Sequence, residues 1–357
     1  MLRKFSLAMT ISMSFFSAFS QDTTKTLLIS GSVDGYYRYN FSGQQNNYTS
    51  FTNSQSSFEL GMASFKADAT ALSSKIGATI DLGFGRRAEE FSYNDGDADA
   101  GKSGFTSLAA IKQAFISYNV SPKIKFTVGK FATHVGYELV DAPLNRNYSM
   151  SYMFTNGPFF HTGLKADATA GPVAFMLGIT NYTDQSTSGT SVKNLIAQIS
   201  GSTKNGKLKV FLNYSGFAGS DSGKNPSALK SLHQIDVVVN AIVNTKFGIG
   251  YNGTVQNRKP TLASRGGWVG NALYLNYDPS STIGLTLRSE YIGDNKTIYF
   301  TTKSIFANTL SLNYKVGPLT IIPELRFENA NSEFYLKKDG SGTKSTASAL
   351  VAAVYKF

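Results

Sequence analysis

Leu208-Lys209-Val210-Phe211-Leu212-Asn213-Tyr214 is apolar at every second position: Leu208, Val210, Leu212 and Tyr214 form one set, and Lys209, Phe211 and Asn213 the other. Successive side chains of an extended chain point to opposite faces, so this alternation predicts a strand with one apolar and one mixed face. The same period recurs elsewhere. Ile283, Leu285, Leu287 and Tyr291 oppose Thr286, Arg288 and Glu290. Leu310, Leu312, Tyr314 and Val316 oppose Ser311, Asn313 and Lys315, and Ile124, Phe126 and Val128 oppose Lys123, Lys125 and Thr127.

Extended over the chain, the pattern predicts sixteen strands, at 29–40, 58–69, 75–87, 108–120, 123–135, 158–170, 173–183, 194–203, 208–220, 231–243, 246–258, 268–278, 282–294, 305–316, 319–331 and 346–357. Connections alternate in length. Longer polar segments such as 41–57, 88–107, 136–157 and 332–345 follow odd strands. Short turns such as Ser121-Pro122, Gly171-Pro172, Pro279-Ser280-Ser281 and Gly317-Pro318 follow even ones, and Gly and Pro there suit tight reversals.

Composition narrows the class. The 357 residues are 41% apolar and only 16% charged, with 13% aromatics and 33 Gly, which argues against disorder and helical bundles. The absence of Cys removes thiol chemistry and Cys-based metal sites. Arg3 and Lys4, the apolar stretch Phe5 to Phe19 and the small residues Ala18 and Ser20 predict a cleaved signal peptide over 1–20, hence an exported chain. No later run of about eighteen apolar residues could form a spanning helix, but a transmembrane barrel hides its apolar face by alternation. The net charge of +11 comes from dispersed Lys and Arg rather than from a basic cluster, so no nucleic-acid partner is expected.

Export, alternation and rim-specific connections together predict an all-β fold: a transmembrane antiparallel up-and-down barrel of about sixteen strands, with long external loops and short periplasmic turns. Hydrocarbon offers no partner to a backbone N–H or C=O, so a spanning sheet must close on itself. Aromatics fall where two interfacial girdles would need them. Tyr37, Tyr39, Tyr214, Tyr291 and Phe327 stand near the outer rim, and Tyr118, Tyr277, Tyr314, Tyr355 and Phe357 near the inner one. The ending Tyr355-Lys356-Phe357 is similar to the terminal signature by which bacterial outer-membrane barrels are recognised for insertion, which implies the barrel-assembly machinery as a partner and outer-membrane lipid and lipopolysaccharide as surroundings. Two local irregularities are expected: a bulge near Ala63, where the apolar phase of Leu60 and Met62 meets that of Phe65 and Ala67, and a bulge or missing hydrogen bond at Pro323.

Sixteen strands leave a bore wide enough for water. On the polar register the expected pore-lining residues are Lys125, Lys165, Asp167, Lys209, Arg288, Glu290, Glu324, Arg326 and Glu328, joined by Asp34, Arg38, Lys66, Asp68, Asp81, Arg87, Asp236, Lys315 and Lys356. Opposed charges would set a transverse field for small hydrophilic solutes; alternatively they pair and stiffen the wall. The connection 136–157 carries Glu138, Asp141, Arg146 and Tyr148, with Tyr137, Tyr152 and Phe154. A loop of that length usually has a task, and it is expected to fold into the lumen as a constriction.

The stretch Val128-Gly129-Lys130-Phe131-Ala132-Thr133-His134-Val135-Gly136-Tyr137-Glu138-Leu139-Val140-Asp141-Ala142-Pro143-Leu144-Asn145, followed by Asn147-Tyr148-Ser149 and by Gly157-Pro158-Phe159-Phe160-His161-Thr162-Gly163, resembles the OmpL-like outer-membrane porin family of Bacteroidetes, itself distantly similar to phosphate-selective porins. The core of the likeness covers about 110–185. His134 stands where relatives often carry Pro, and Arg146 where they often carry an aromatic. The resemblance implies passive diffusion through a channel narrowed by this loop, without cofactor; a homotrimer is expected by analogy with general porins, although no residue points to it.

Two other classes fit parts of the sequence. A barrel hydrolase could pose His161 with Asp141 and Ser149 or Ser151 as a triad, although no spacing selects it. The three His, at 134, 161 and 233, show no metal-ligand spacing, so no metal site and no catalytic residue are expected. An exported β-sandwich adhesin or lectin would share the alternation but not the girdles or the rim-specific loops.

Overall fold

The computed structural model describes residues 25–95, 108–188, 191–219, 229–260, 265–294, 296–297 and 299–357; the expected signal peptide lies outside them. The strands are β1 (Thr26–Asn40), β2 (Ser57–Ala71), β3 (Ile76–Phe84), β4 (Ile111–Ser121), β5 (Ile124–Ala132), β6 (Phe160–Ala170), β7 (Val173–Thr180), β8 (Asn194–Ser202), β9 (Leu208–Ala218), β10 (Leu229–Ile242), β11 (Phe247–Pro260), β12 (Gly266–Tyr277), β13 (Ile283–Gly293), β14 (Ser304–Val316), β15 (Leu319–Ala330), β16 (Tyr335–Leu336), β17 (Gly342–Thr343) and β18 (Ser345–Lys356).

Sixteen of them form one closed barrel in which each strand pairs antiparallel with its neighbours in sequence, and β18 closes the ring against β1 and β15. The small pair β16–β17 stands apart, as a hairpin in the last long connection. At the seam Gly31 and Phe357 exchange both backbone hydrogen bonds, each 3.0 Å, so no strand is left with an open edge. Closure is what lets an antiparallel sheet enter a bilayer.

The outer skin is apolar: Ile80, Ile116, Leu177, Ile199, Leu212, Ile235, Leu310 and Leu325 are among the exposed large side chains. Tyr118, Tyr277, Tyr314, Tyr355 and Phe357 ring the short-turn rim, and Tyr39, Tyr291 and Phe327 the opposite one, all exposed. Inside, the buried polar groups include Asp34, Asp81, Asp236, Arg288, Glu290, Glu324, Arg326 and Glu328.

Three local features depart from simple alternation. The bulge in β2 falls at Gly61 rather than Ala63: Asp34 pairs with Met62 but Gly35 with Leu60. Leu60 therefore faces outward and Met62 inward, although they share a phase in the sequence. A side chain at Gly61 would run into the Asp34 carboxylate and the Tyr148 hydroxyl. Gly61→Val is thus expected to break the Tyr148–Asp34 bond and to lower stability by about 1–3 kcal/mol, read as a lower temperature for losing the fast-migrating folded form on gels; an unchanged temperature would show that the contact yields freely.

The third strand ends at Phe84 rather than continuing to Arg87. Gly85, at φ 111°, turns the chain into a short helix, Arg86–Phe91, which the alternation did not suggest. At Pro323 there is no bulge. The pairing of β14 with β15 runs through Leu310↔Leu325 and Ser311↔Glu324, skips two pairs and resumes at Tyr314↔Ile321 in the same register. Pro lacks the N–H that one of those pairs requires.

Candidate functional site

The connection between β5 and β6, residues 133–159, turns inward and is bound to the interior side of the wall at nearly every step. At its start the Gly136 N–H donates to Asp236 (3.0 Å) and the Tyr137 N–H to Asn252 (3.3 Å), while the Tyr137 ring stacks on Tyr274 at 4.0 Å. Asp236 is preset for this: Asn213 (2.7 Å), Asn252 (2.5 Å) and Thr254 (2.5 Å) all donate to its carboxylate.

The middle of the loop crosses to β12–β15 and β1. Arg146 forms a two-pronged pair with Asp278 (2.6 and 3.2 Å) and donates to the Thr286 hydroxyl (2.7 Å). Asn147 donates to Ser311 (2.6 Å), and the Tyr148 and Ser149 N–H groups donate to Glu324 (2.9 and 3.3 Å). The Tyr148 hydroxyl donates to Asp34 at 2.5 Å; burial holds its phenol far above the ordinary range, so it remains a donor.

Past Ser149 the loop meets a chain of alternating charges. Arg288 pairs with Glu138 (2.5 Å) and Glu290 (3.3 Å) and donates to the carbonyls of Ser149 (2.7 Å) and Met150 (3.3 Å). Arg326 pairs with Glu290 (3.1 Å) and Glu328 and donates to Met150 O (3.1 Å). The Tyr152 N–H donates to Glu290 (2.8 Å) and its hydroxyl to Glu328 (3.1 Å). A helical turn, Tyr152–Thr155, follows; its Ser151 cap accepts from the Phe154 N–H, and the Ser151 N–H in turn donates to Glu138 (2.7 Å). Charged partners stripped of water hold tightly only as a complete set, which is what fixes the loop.

Two further cations complete the grip, Lys112, which the alternation missed, and Arg87, which it placed inward but on a strand. Lys112 is the extra residue of a bulge in β4, which turns it inward to pair with Asp81 (3.0 Å) and Asp141 (2.5 Å). Arg87, on the short helix and fully buried, lies between the rings of Phe51 (4.8 Å) and Tyr148 (4.9 Å) and donates to Val140 O (3.2 Å) and Tyr148 O (3.3 Å). Its signal in the sequence was Arg86-Arg87-Ala88-Glu89-Glu90, good helix formers after a glycine.

The expected pore-lining residues therefore separate into two groups. Arg288, Glu290, Glu324, Arg326 and Glu328 point inward but are buried against the loop instead of facing open water. Lys125, Lys165, Asp167 and Lys209 lie on the other wall, toward the short-turn rim. Asp167 is shared by Lys165 (3.2 Å) and Lys125 (3.8 Å), and Lys209 is exposed. The posed triad is not assembled. His161 contacts the Thr133 hydroxyl (3.3 Å), Asp141 is taken by Lys112, the Ser149 hydroxyl lies against Arg288 (3.4 Å) and Ser151 caps the helical turn. Among the described residues no group of His, Asp and Glu could hold a metal ion.

Cavities lie on both sides of the loop. Toward the long-loop rim one of about 250 Å³ is lined by Tyr93, Asp184, Gln234, Gln256, Arg258 and Tyr299. Toward the short-turn rim two of about 290 and 330 Å³ are lined by the underside of the loop, from Asp141 to Arg146, and by the inner ends of β1, β2, β14, β15 and β18.

The base of the loop depends on Asp184, in the connection between β7 and β8, which accepts from Phe159 N (2.6 Å), Phe160 N (3.0 Å) and the Tyr93 hydroxyl (3.2 Å). Burial outweighs these bonds and pushes its carboxyl up to about 7. In an unfolded chain it would titrate near about 4. A raised folded-state value means that the folded loop keeps a proton which the unfolded chain has already released. The contribution of this group to stability is therefore complete below about pH 4 and is lost as the pH rises through about 7. Carbon-13 NMR is expected to give an Asp184 midpoint near 7, and Asp184→Asn to remove the slope; a midpoint below about 5 would contradict the burial argument. His134, by contrast, is held down to about 4 by burial and is neutral near pH 7.

A closed cylinder with an apolar skin, two aromatic girdles and a third loop bound across a polar interior defines the class of outer-membrane channel barrels. The family described as "Putative beta-barrel porin-2, OmpL-like" matches residues 26–357, and the chain belongs to it, as an integral outer-membrane porin. Among solved structures its fold is similar to that of the outer membrane channel DcaP of Acinetobacter baumannii, with TM-score 0.64 and 13% identity over 95% of this chain and 99% of that one. It is also similar to an anion-selective porin from Comamonas acidovorans, with TM-score 0.64 and 12% identity over 94% and 100% of the two chains. OmpT of Vibrio cholerae, expressed in the outer membrane, gives TM-score 0.59 and 12% identity over 93% and 98%. No relative is found among the curated proteins.

Proposed function

We propose that this porin passes small hydrophilic solutes and ions by passive diffusion, with residues 133–159 as its constriction, and that it catalyses no reaction. The observation that carries the reading is the fixing of that loop: it is tied to opposite walls by buried carboxylates and guanidinium groups, with cavities above and beneath it. Glu138, Asp141, Arg146 and Tyr148 then act as anchors that set the size limit, and Lys125, Lys165, Asp167 and Lys209 face the solute. Outer-membrane lipid and lipopolysaccharide surround the barrel in this reading, the barrel-assembly machinery receives it through Tyr355 and Phe357 after loss of residues 1–20, and three copies associate.

The test is conductance of the folded, heat-modifiable protein in planar bilayers, with swelling of liposomes in sugars of increasing size. Discrete conductance steps, and swelling that falls off sharply with sugar size, are expected. Folded protein that neither conducts nor admits the smallest sugar would overturn the proposal.

A further inference from the structure

The charges of the interior are unevenly settled. At the level of the loop three cations have carboxylates in contact: Arg288 has Glu138 and Glu290, Arg326 has Glu290 and Glu328, and Lys112 has Asp81 and Asp141. Beneath the loop the 330 Å³ cavity still has Asp81 and Asp141 beside Lys66, Lys112 and Lys356, but in its neighbour this balance ends. The 290 Å³ cavity there is lined by Lys315, Lys356 and Arg146 and by no carboxylate. Arg146 is spoken for by Asp278 at 2.6 Å, but Lys315 and Lys356 have no ion pair among the described residues, and both are exposed.

Their placement follows from the register. Lys315 on β14 faces Thr320 on β15, and Thr320 faces Val354 on β18, two residues before Lys356. All of them lie on the inward phase of their strands. Neighbouring strands are about 4.8 Å apart, so two flexible ammonium arms with one strand between them can close on a single small ion, with the Thr320 hydroxyl beneath it. Screening over about 8 Å at physiological salt leaves the two charges acting together across such a gap.

We propose that this inner cavity is a station for small anions, inorganic oxyanions and carboxylates, held by Lys315 and Lys356 with Thr320, and that it tilts the channel toward anions. The proposal rests on the channel reading above and adds the class of ion to it. Lys125 and Lys165, two cations on one Asp167, extend the same excess along the opposite wall.

The experiment uses the full folded chain in planar bilayers under a KCl gradient, with inorganic sulfate as the competing probe. Wild type is expected to favour chloride over potassium by about threefold or more at 0.1 M salt and less at 1 M, as screening requires. Lys315→Gln with Lys356→Gln should bring the ratio close to one, and Lys315→Glu alone, which leaves the terminal strand untouched, should lower it as well. Millimolar sulfate should reduce chloride current in wild type and not in the double variant. Equal ion preference in wild type and variants, or equal sulfate block, overturns the station while the channel stands. If the folded wild type does not conduct, the channel reading fails, and calorimetric titration of sulfate into the detergent-folded protein decides the site alone: heat that disappears in the double variant supports it, and no heat in wild type rejects it.

Discussion

Replacing Arg288 by Ala is expected to release the third loop and raise single-channel conductance by at least about twofold, with added current noise. The side chain is fully buried and joins Glu138, Glu290 and the carbonyls of Ser149 and Met150. Its loss strands the buried Glu138 carboxylate and leaves Glu290 with Arg326 alone, a change that costs about 3–5 kcal/mol when one partner of a buried pair is removed. The barrel has its own hydrogen-bonded ladders and is expected to survive, so the penalty falls on the loop. Arg288→Lys should rescue little, because a single ammonium cannot reproduce a fork that reaches carboxylates and carbonyls at once. Arg288→Met combined with Glu138→Gln and Glu290→Gln should be milder than Arg288→Ala, since it removes the stranded charge. Conductance and thermal stability both unchanged in Arg288→Ala would refute the anchoring argument.

Leu310→Arg carries the second large effect. Leu310 sits midway along β14 on the lipid side and is 48% exposed. A guanidinium at the bilayer midplane costs about 2–4 kcal/mol on such a barrel. Ser200→Arg, on the inward phase of β8, is expected to cost far less, since its charge would meet water. Folding equilibria in urea with lipid vesicles compare the two. Similar losses in both would mean that the inside and outside of the sheet have been confused.

The barrel itself was legible because its signal is redundant. All sixteen spanning strands lie where the period of two put them, all of their ends within three residues, and the rims follow from connection length alone. What was read less sharply were the places where one residue changes the phase, of which the β2 bulge was expected two residues away at Ala63 and the β4 bulge was not expected. The bulge at Gly61 inverts Met62, and the one at Lys112 turns inward a lysine that strict alternation assigns to lipid. The inward charges of β13 and β15 were assigned to the correct face, but their task was not visible. Whether Arg288 meets water or Glu138 depends on a contact across 150 positions of chain, which no local pattern encodes. Arg87 was read as a strand residue because its helix spans only Arg86–Phe91, too short to override the preceding alternation.

The skipped pairs beside Pro323 have a mechanical consequence. A hoop of staves holds its shape only as evenly as its joints are fastened, and between β14 and β15 two successive rivets are missing from within the joint. Any play left by that gap falls on the two staves that carry Lys315 and Thr320, a few residues from where a passing ion would rest.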